Sequence, residues 1–157
     1  MSAPKVWTGA CHCGAVRFTV TLVDGLDQPR RCNCSLCRKR GAVVVSARVG
    51  DLTIESGADA LQLYRFNTMQ AEHYFCSRCG IYTHHKRRSN PNQLGVNVAC
   101  LAGVSPFDFE TVPVYEGGAH PSDTPGSTGS EIAGYLRYEG SHQRDPARPR
   151  SETDRGA

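Results

Sequence analysis

An all-β domain is the fold class this sequence predicts, and three observations carry it. Residues 16–22 alternate, with Val16, Phe18, Val20 and Leu22 on one side and Arg17, Thr19 and Thr21 on the other. That period of two belongs to a strand with one buried face. Almost no helical periodicity occurs elsewhere; short apolar stretches are instead broken by turn signals such as Asp24-Gly25. Seven of the eight cysteines fall in tight clusters, C-x-C, C-x-C-x-x-C and C-x-x-C. Clusters of that kind staple small β-domains through metal, whose binding free energy becomes folding free energy.

Bulk properties narrow the rest. A chain of 157 residues suits one domain. A formal charge of +3 is too small to imply a nucleic-acid partner. No apolar run approaches the ~20 residues of a membrane helix. No apolar segment follows Met1-Ser2-Ala3-Pro4-Lys5, so no signal peptide is expected. Eight cysteines without such a signal point to a reducing compartment, the cytoplasm, and to metal rather than disulfides.

The elements follow in order. Residues 6–10 lead into Cys11-His12-Cys13-Gly14, and the first alternating strand comes next. A linker through Pro29-Arg30-Arg31 delivers the chain to Cys32-Asn33-Cys34-Ser35-Leu36-Cys37. Residues 42–47 are rich in valine and read as a strand, and residues 52–57 as a short strand ending at Gly57. Residues 61–66 alternate. Residues 72–75 run into Cys76-Ser77-Arg78-Cys79-Gly80, the form of a zinc knuckle. The glycine permits the positive φ that turns backbone amides toward the sulfurs. Residues 81–85 leave the knuckle as strand, residues 86–92 turn, and residues 94–101 read as an apolar strand. Residues 117–130 form a long Gly/Ser/Pro-rich loop, after which residues 132–138 retain enough apolar character to pack. The folded zinc domain is expected over residues 1–140. Residues 141–157 hold no aliphatic or aromatic core residue beyond alanine and read as a disordered tail.

The cysteines divide four plus three plus one. Cys11 and Cys13 pair with Cys76 and Cys79, each pair in a turn and each second cysteine followed by glycine, to give a closed four-thiolate site of structural type. Cys32, Cys34 and Cys37 make a second site with one tetrahedral position left over, so the chain is expected to hold two zinc ions. Cys100 either closes that second site or is a small buried hydrophobe in an apolar run. His84 and His85 are adjacent, so in a strand they point to opposite faces and at most one can face a metal. His12 and His73 read as neighbours of metal sites rather than ligands. Arg38-Lys39-Arg40 and Lys86-Arg87-Arg88 read as solvated faces, with a capacity to receive the carboxylates of an acidic substrate.

Zinc bound by three thiolates carries a net negative charge and is a weak Lewis acid, which disfavours hydrolysis. Such a centre suits a substrate thiol in the fourth position, presented as thiolate at neutral pH to a small aldehyde. Two other readings stand beside this one: a binding or scaffold module with both zinc sites closed, and a redox switch that loses metal on oxidation.

Three motifs together resemble those of the glutathione-dependent formaldehyde-activating enzyme family, which includes centromere protein V. They are Gly9-Ala10-Cys11-His12-Cys13-Gly14, Cys32-Asn33-Cys34-Ser35-Leu36-Cys37 and Phe75-Cys76-Ser77-Arg78-Cys79-Gly80, and the resemblance covers residues 7–116. It implies packed antiparallel sheets of the Mss4-like, or β-tent, type. It implies a structural zinc at Cys11, Cys13, Cys76 and Cys79 and a catalytic zinc at Cys32, Cys34 and Cys37, with no family ligand at Cys100. It implies carbon–sulfur lyase chemistry, written in reverse as glutathione joined to formaldehyde. The partners it implies are a small-molecule thiol and an aldehyde; no residue-level glutathione motif carries over.

Overall fold

A computed structural model describes residues 3–118, 123, 125 and 131–140. The loop expected at 117–130 falls largely, and the tail expected at 141–157 wholly, outside the described residues. In chain order the strands are β1 (Val6–Ala10), β2 (Arg17–Leu22), β3 (Arg31–Cys32), β4 (Val44–Ser56), β5 (Leu61–Tyr64), β6 (Glu72–Cys76), β7 (Tyr82–Lys86), β8 (Gln93–Asn97), β9 (Thr111–Tyr115) and β10 (Ile132–Arg137). One helical turn, α1 (Cys37–Arg40), follows β3. Seven strands form one antiparallel sheet in the order β1-β2-β4-β8-β7-β6-β5, and three form a second in the order β10-β9-β3. The all-β expectation is met.

The alternation of residues 16–22 does what it predicts. Val16, Phe18, Val20 and Leu22 are buried, while the residues between them are not. Phe18, Val20 and Leu22 pack with Val43, Val45 and Ala47 beside β2, with Leu94 and Val96 of β8, and with Val112 of β9. The main core therefore joins both sheets. Val16 belongs to a second cluster with Cys11, Ala60 and Cys76, which seals the region around the four-cysteine group.

Three local expectations are corrected. The strands read at 42–47 and 52–57 are parts of a single 13-residue strand, β4. Its first half pairs with β8 and its second half with β2, and the register with β2 shifts between Val20 and Leu22. Pairing on both sides carries the strand through Gly50, which sits at a φ of 100°. The apolar run 94–101 leaves strand conformation after Asn97, whose side chain accepts from the Ala99 amide and starts a 3₁₀ turn over Val98–Cys100. Finally, the smaller sheet is not wholly antiparallel, because β3 runs parallel to β9, with Cys32 opposite Tyr115.

Candidate metal centres and the cavity between them

Two turns build the first thiol group. Each opens with a cysteine amide donating to a carbonyl five residues on, Cys11 to Val16 at 3.0 Å and Cys76 to Ile81 at 2.9 Å. Each closes with a glycine amide bonding back to the first cysteine's carbonyl, Gly14 to Cys11 and Gly80 to Cys76. Both glycines sit at a φ of +75°, where side chains are disfavoured. The turns bring the sulfurs of Cys11, Cys13, Cys76 and Cys79 within 4.8 Å of one another. Cys11 and Cys13 Sγ are 3.6 Å apart, and Cys13 and Cys76 Sγ 3.8 Å. Sulfurs ~2.3 Å from one tetrahedral zinc lie about 3.8 Å apart, so the donor set fits that ion. The Val16 amide also donates to Cys11 Sγ at 3.3 Å, the kind of outer contact that orients a ligand. Cys11 and Cys76 are buried, Cys79 is half-buried and Cys13 is exposed.

The second group is one short loop. Cys32 ends β3, Cys34 lies in the turn and Cys37 opens α1; their sulfurs also lie within 4.8 Å of one another and all three are half-buried. The loop folds back on its own sulfurs. The Cys34 amide donates to Cys32 Sγ, and the Cys37 amide to Cys34 Sγ, both at 3.4 Å. Asn33 fastens it to the end of β9. Its amide donates to the Tyr115 carbonyl at 3.1 Å, its side chain donates to Glu116 at 3.0 Å and accepts from the Gly117 amide at 2.7 Å. Gly117 lies so close that a Cβ there would overlap Cys32 Sγ and reach Cys34 Cβ at 2.7 Å.

The three thiols do not ionise independently. Cys34 is driven far below the ordinary thiol range by hydrogen bonds from Cys32 and then Cys37, whereas hydrogen bonds from Cys32 and then Cys34 push Cys37 far above it. A divalent cation at their centre would allow all three to be thiolates together.

Arg40, the last residue of α1, connects this group to the large sheet. It donates to Cys37 Sγ at 3.4 Å and lies 3.1 Å from His73 Nδ1. Its guanidinium carbon stands 3.5 Å from the centre of the Tyr82 ring, a cation–π stack. The Tyr82 hydroxyl lies 2.5 Å from His85 Nδ1 and donates to the Gly95 carbonyl. Burial, followed by Arg40, holds His73 down at about 4, and burial pushes Tyr82 well above the usual phenol range. Near neutral pH this wall thus consists of neutral rings and fixed guanidinium charge.

The cavity in front of it has a volume of about 1000 Å³, and Cys32, Cys34 and Cys37 all line it. The cysteine division read from the sequence is what the structure brings together. Cys100 joins neither thiol group. It sits in the main core, donates to the Tyr82 carbonyl at 3.5 Å and has its thiol pushed up to about 12 by burial. His12 is exposed. His84 is buried, stacked 4.6 Å from Tyr74, while His85 turns to the cavity, so the pair does point to opposite faces.

The basic stretches divide by residue. Arg38 and Lys39 are exposed as expected, but Arg40, Arg87 and Arg88 turn into the cavity. Sequence reading missed Asn33 and Gly117, and it passed over Arg30, which also lines the cavity. Asn33 had one signal, its place between two ligand-spaced cysteines. Gly117 had none.

Among known proteins, the model of the glutathione-dependent formaldehyde-activating enzyme family matches residues 6–115. A Halomonas elongata protein, provisionally named glutathione-dependent formaldehyde-activating enzyme, is 39% identical over 80 residues, which are 45% of this chain and 50% of that protein. The match thus spans half of that relative's length. The crystal structure of a Rhodobacter sphaeroides protein is 55% identical, covers 68% of this chain and 98% of its own, and superposes with a TM-score of 0.67. With its family model matched over most of its length, the chain belongs to the glutathione-dependent formaldehyde-activating enzyme family.

Proposed function

We propose that the chain is a zinc-dependent enzyme of carbon–sulfur lyase type that joins a thiol, glutathione in the first instance, to formaldehyde or another small aldehyde at Cys32, Cys34 and Cys37. The observation that carries this reading is the three half-buried thiols in the wall of a cavity of about 1000 Å³, with the eighth cysteine buried elsewhere. A closed scaffold module needs Cys100 beside them, and it lies in the core.

Cys32, Cys34 and Cys37 would hold a zinc ion, which when bound would stabilise a substrate thiol as thiolate at neutral pH. The chain's own residues do the rest. Cys32, Cys34 and Cys37 hold the centre, and Asn33 fixes their loop against β9. Arg40 donates to the Cys37 sulfur and, with its positive charge beside it, tempers the electron density of the donor set. In the reaction the thiol sulfur bonds to the aldehyde carbon, and the proton lost by the thiol ends on the former carbonyl oxygen. Cys11, Cys13, Cys76 and Cys79 hold a second, structural zinc. Eight free cysteines suit a reducing compartment such as the cytoplasm.

Exchange spectroscopy on glutathione and labelled formaldehyde tests the proposal. The zinc-loaded protein is expected to speed interconversion with S-hydroxymethylglutathione, and Cys37→Ser to abolish the acceleration while keeping the fold. A zinc-loaded parent that leaves the exchange rate of every thiol and small aldehyde tried at the uncatalysed value sinks it.

A further inference from the structure

The cavity is much larger than the thiol centre and formaldehyde require, and its charge is one-sided. Five arginines line it against three carboxylates. Two of those carboxylates are already engaged. Asp123 pairs with Arg88, and Glu116 accepts from Asn33 and from the Gly118 amide. Arg30 and Arg87 have no acidic partner among the described residues. Arg30 donates through one terminal nitrogen to Ser46 Oγ at 2.9 Å, while its other terminal nitrogen is shielded from solvent and has no acceptor among the described residues. Among the described residues the Arg87 side chain donates to neutral groups, Gln93 Oε1 at 2.6 Å and Ser89 Oγ at 3.4 Å. Both arginines are half-buried.

Two like charges in one desolvated wall repel each other and have lost water. An anion supplied from outside relieves both costs, and the planar fork of arginine matches a carboxylate. We propose that Arg30 and Arg87 form a carboxylate-binding subsite that seats the acid group of a substrate whose reacting end lies at Cys32, Cys34 and Cys37. Placement of the reacting end rests on the function proposed above; the subsite itself does not. The acid group belongs either to the thiol substrate or to the carbonyl substrate.

Calorimetry on the zinc-loaded protein separates these. S-methylglutathione keeps both carboxylates but has no thiol, its diethyl ester lacks the carboxylates, and glyoxylate is a small aldehyde carrying one. Binding of S-methylglutathione but not of its diester, weakened about tenfold or more by Arg87→Gln and by Arg30→Lys, assigns the subsite to the thiol substrate. The same arginine dependence for glyoxylate alone assigns it to the carbonyl substrate. Equal binding of acid and ester, binding unchanged by Arg87→Gln, or no binding of either acid overturns the subsite. Circular dichroism and zinc content confirm that each variant is folded, and Arg87→Gln decides if Arg30→Lys is not. Cysteamine, a thiol without a carboxylate, tests the other half on cobalt-substituted protein. If neither it nor glutathione alters the cobalt spectrum, the thiol-centre reading fails while the calorimetry still decides the subsite.

Discussion

The two thiol groups differ in where their ligands come from. The Cys11–Cys13–Cys76–Cys79 group ties together two turns, with Cys13 and Cys76 separated by 63 positions. The Cys32–Cys34–Cys37 group is a single six-residue loop, fastened through its own Asn33 to Gly117 and the end of β9 and bonded by Arg40. A metal in the first joins distant strands and acts on the stability of the whole domain. A metal in the second closes only a local loop, so it can bind, exchange or accept a further ligand with little effect on the rest. On the function proposed above, the same residue type serves architecture or chemistry according to the length of chain it encloses and the number of donors it gathers.

The sharpest way to break this contrast is to remove one thiol from each group. Cys76→Ser is expected to cost several kcal/mol, because much of the ~10–16 kcal/mol of a structural zinc site is folding free energy. Cys37→Ser should leave the melting transition nearly unchanged and the protein inactive. Thermal denaturation and metal content on both variants check this, and equal destabilisation would erase the distinction. Next in size is Gly117→Ala, whose methyl group meets the Cys32 sulfur. Zinc should fall from two per chain to about one, the ratio the donor sets imply, with the circular dichroism spectrum unaltered. Chelation sharpens the comparison kinetically. Zinc should leave in two phases, the faster from the three-thiol group with β-structure intact, as followed by a metal indicator dye and circular dichroism together.

Acid acts on the scaffold as well as on the thiols. Burial holds His84 at about 4, below its ordinary 6.5. The unfolded chain therefore binds the proton first, and the stability His84 contributes is complete above about pH 6.5 and lost as pH falls toward 4. At pH 5 the loss is on the order of 2 kcal/mol. Urea unfolding at pH 8 and pH 5 should show it, with a shallower pH dependence in His84→Gln. The smallest effect expected is that of Cys100→Ala, about 1 kcal/mol by the large-to-small rule, with both zinc ions retained.

The sequence made the thiol partition readable because ligand spacing is a local property. The opposed faces of His84 and His85 and the buried side of residues 16–22 were readable for the same reason, since strand alternation needs no partner. Whatever depended on partners was not. Residues 44–56 run as one strand because β8 and β2 pair with successive halves of it, and no pattern around Gly50 announces that. Cys100 looked like part of a strand because Val96 to Leu101 is apolar, but the Asn97 cap turns the chain first. The cavity was invisible for a stronger reason. Arg30, Arg40 and Arg87 come from a linker, a helical turn and the end of a strand, and only the packing of those segments makes them one wall.

The 63-position gap within the first group also sets an order of events during synthesis. At ~5–20 residues per second, Cys13 is made roughly 3–13 s before Cys76, and Cys37, the last of the three-thiol group, roughly 2–8 s before it. A zinc ion met in that interval finds five thiols within residues 11–37 and none of the second knuckle. The nascent chain can therefore acquire metal in a non-native set and must hand it over when Cys76 and Cys79 arrive. If the two groups hold zinc as proposed, correct assembly calls for thiolate exchange fast enough to re-sort the metal once the second knuckle is made.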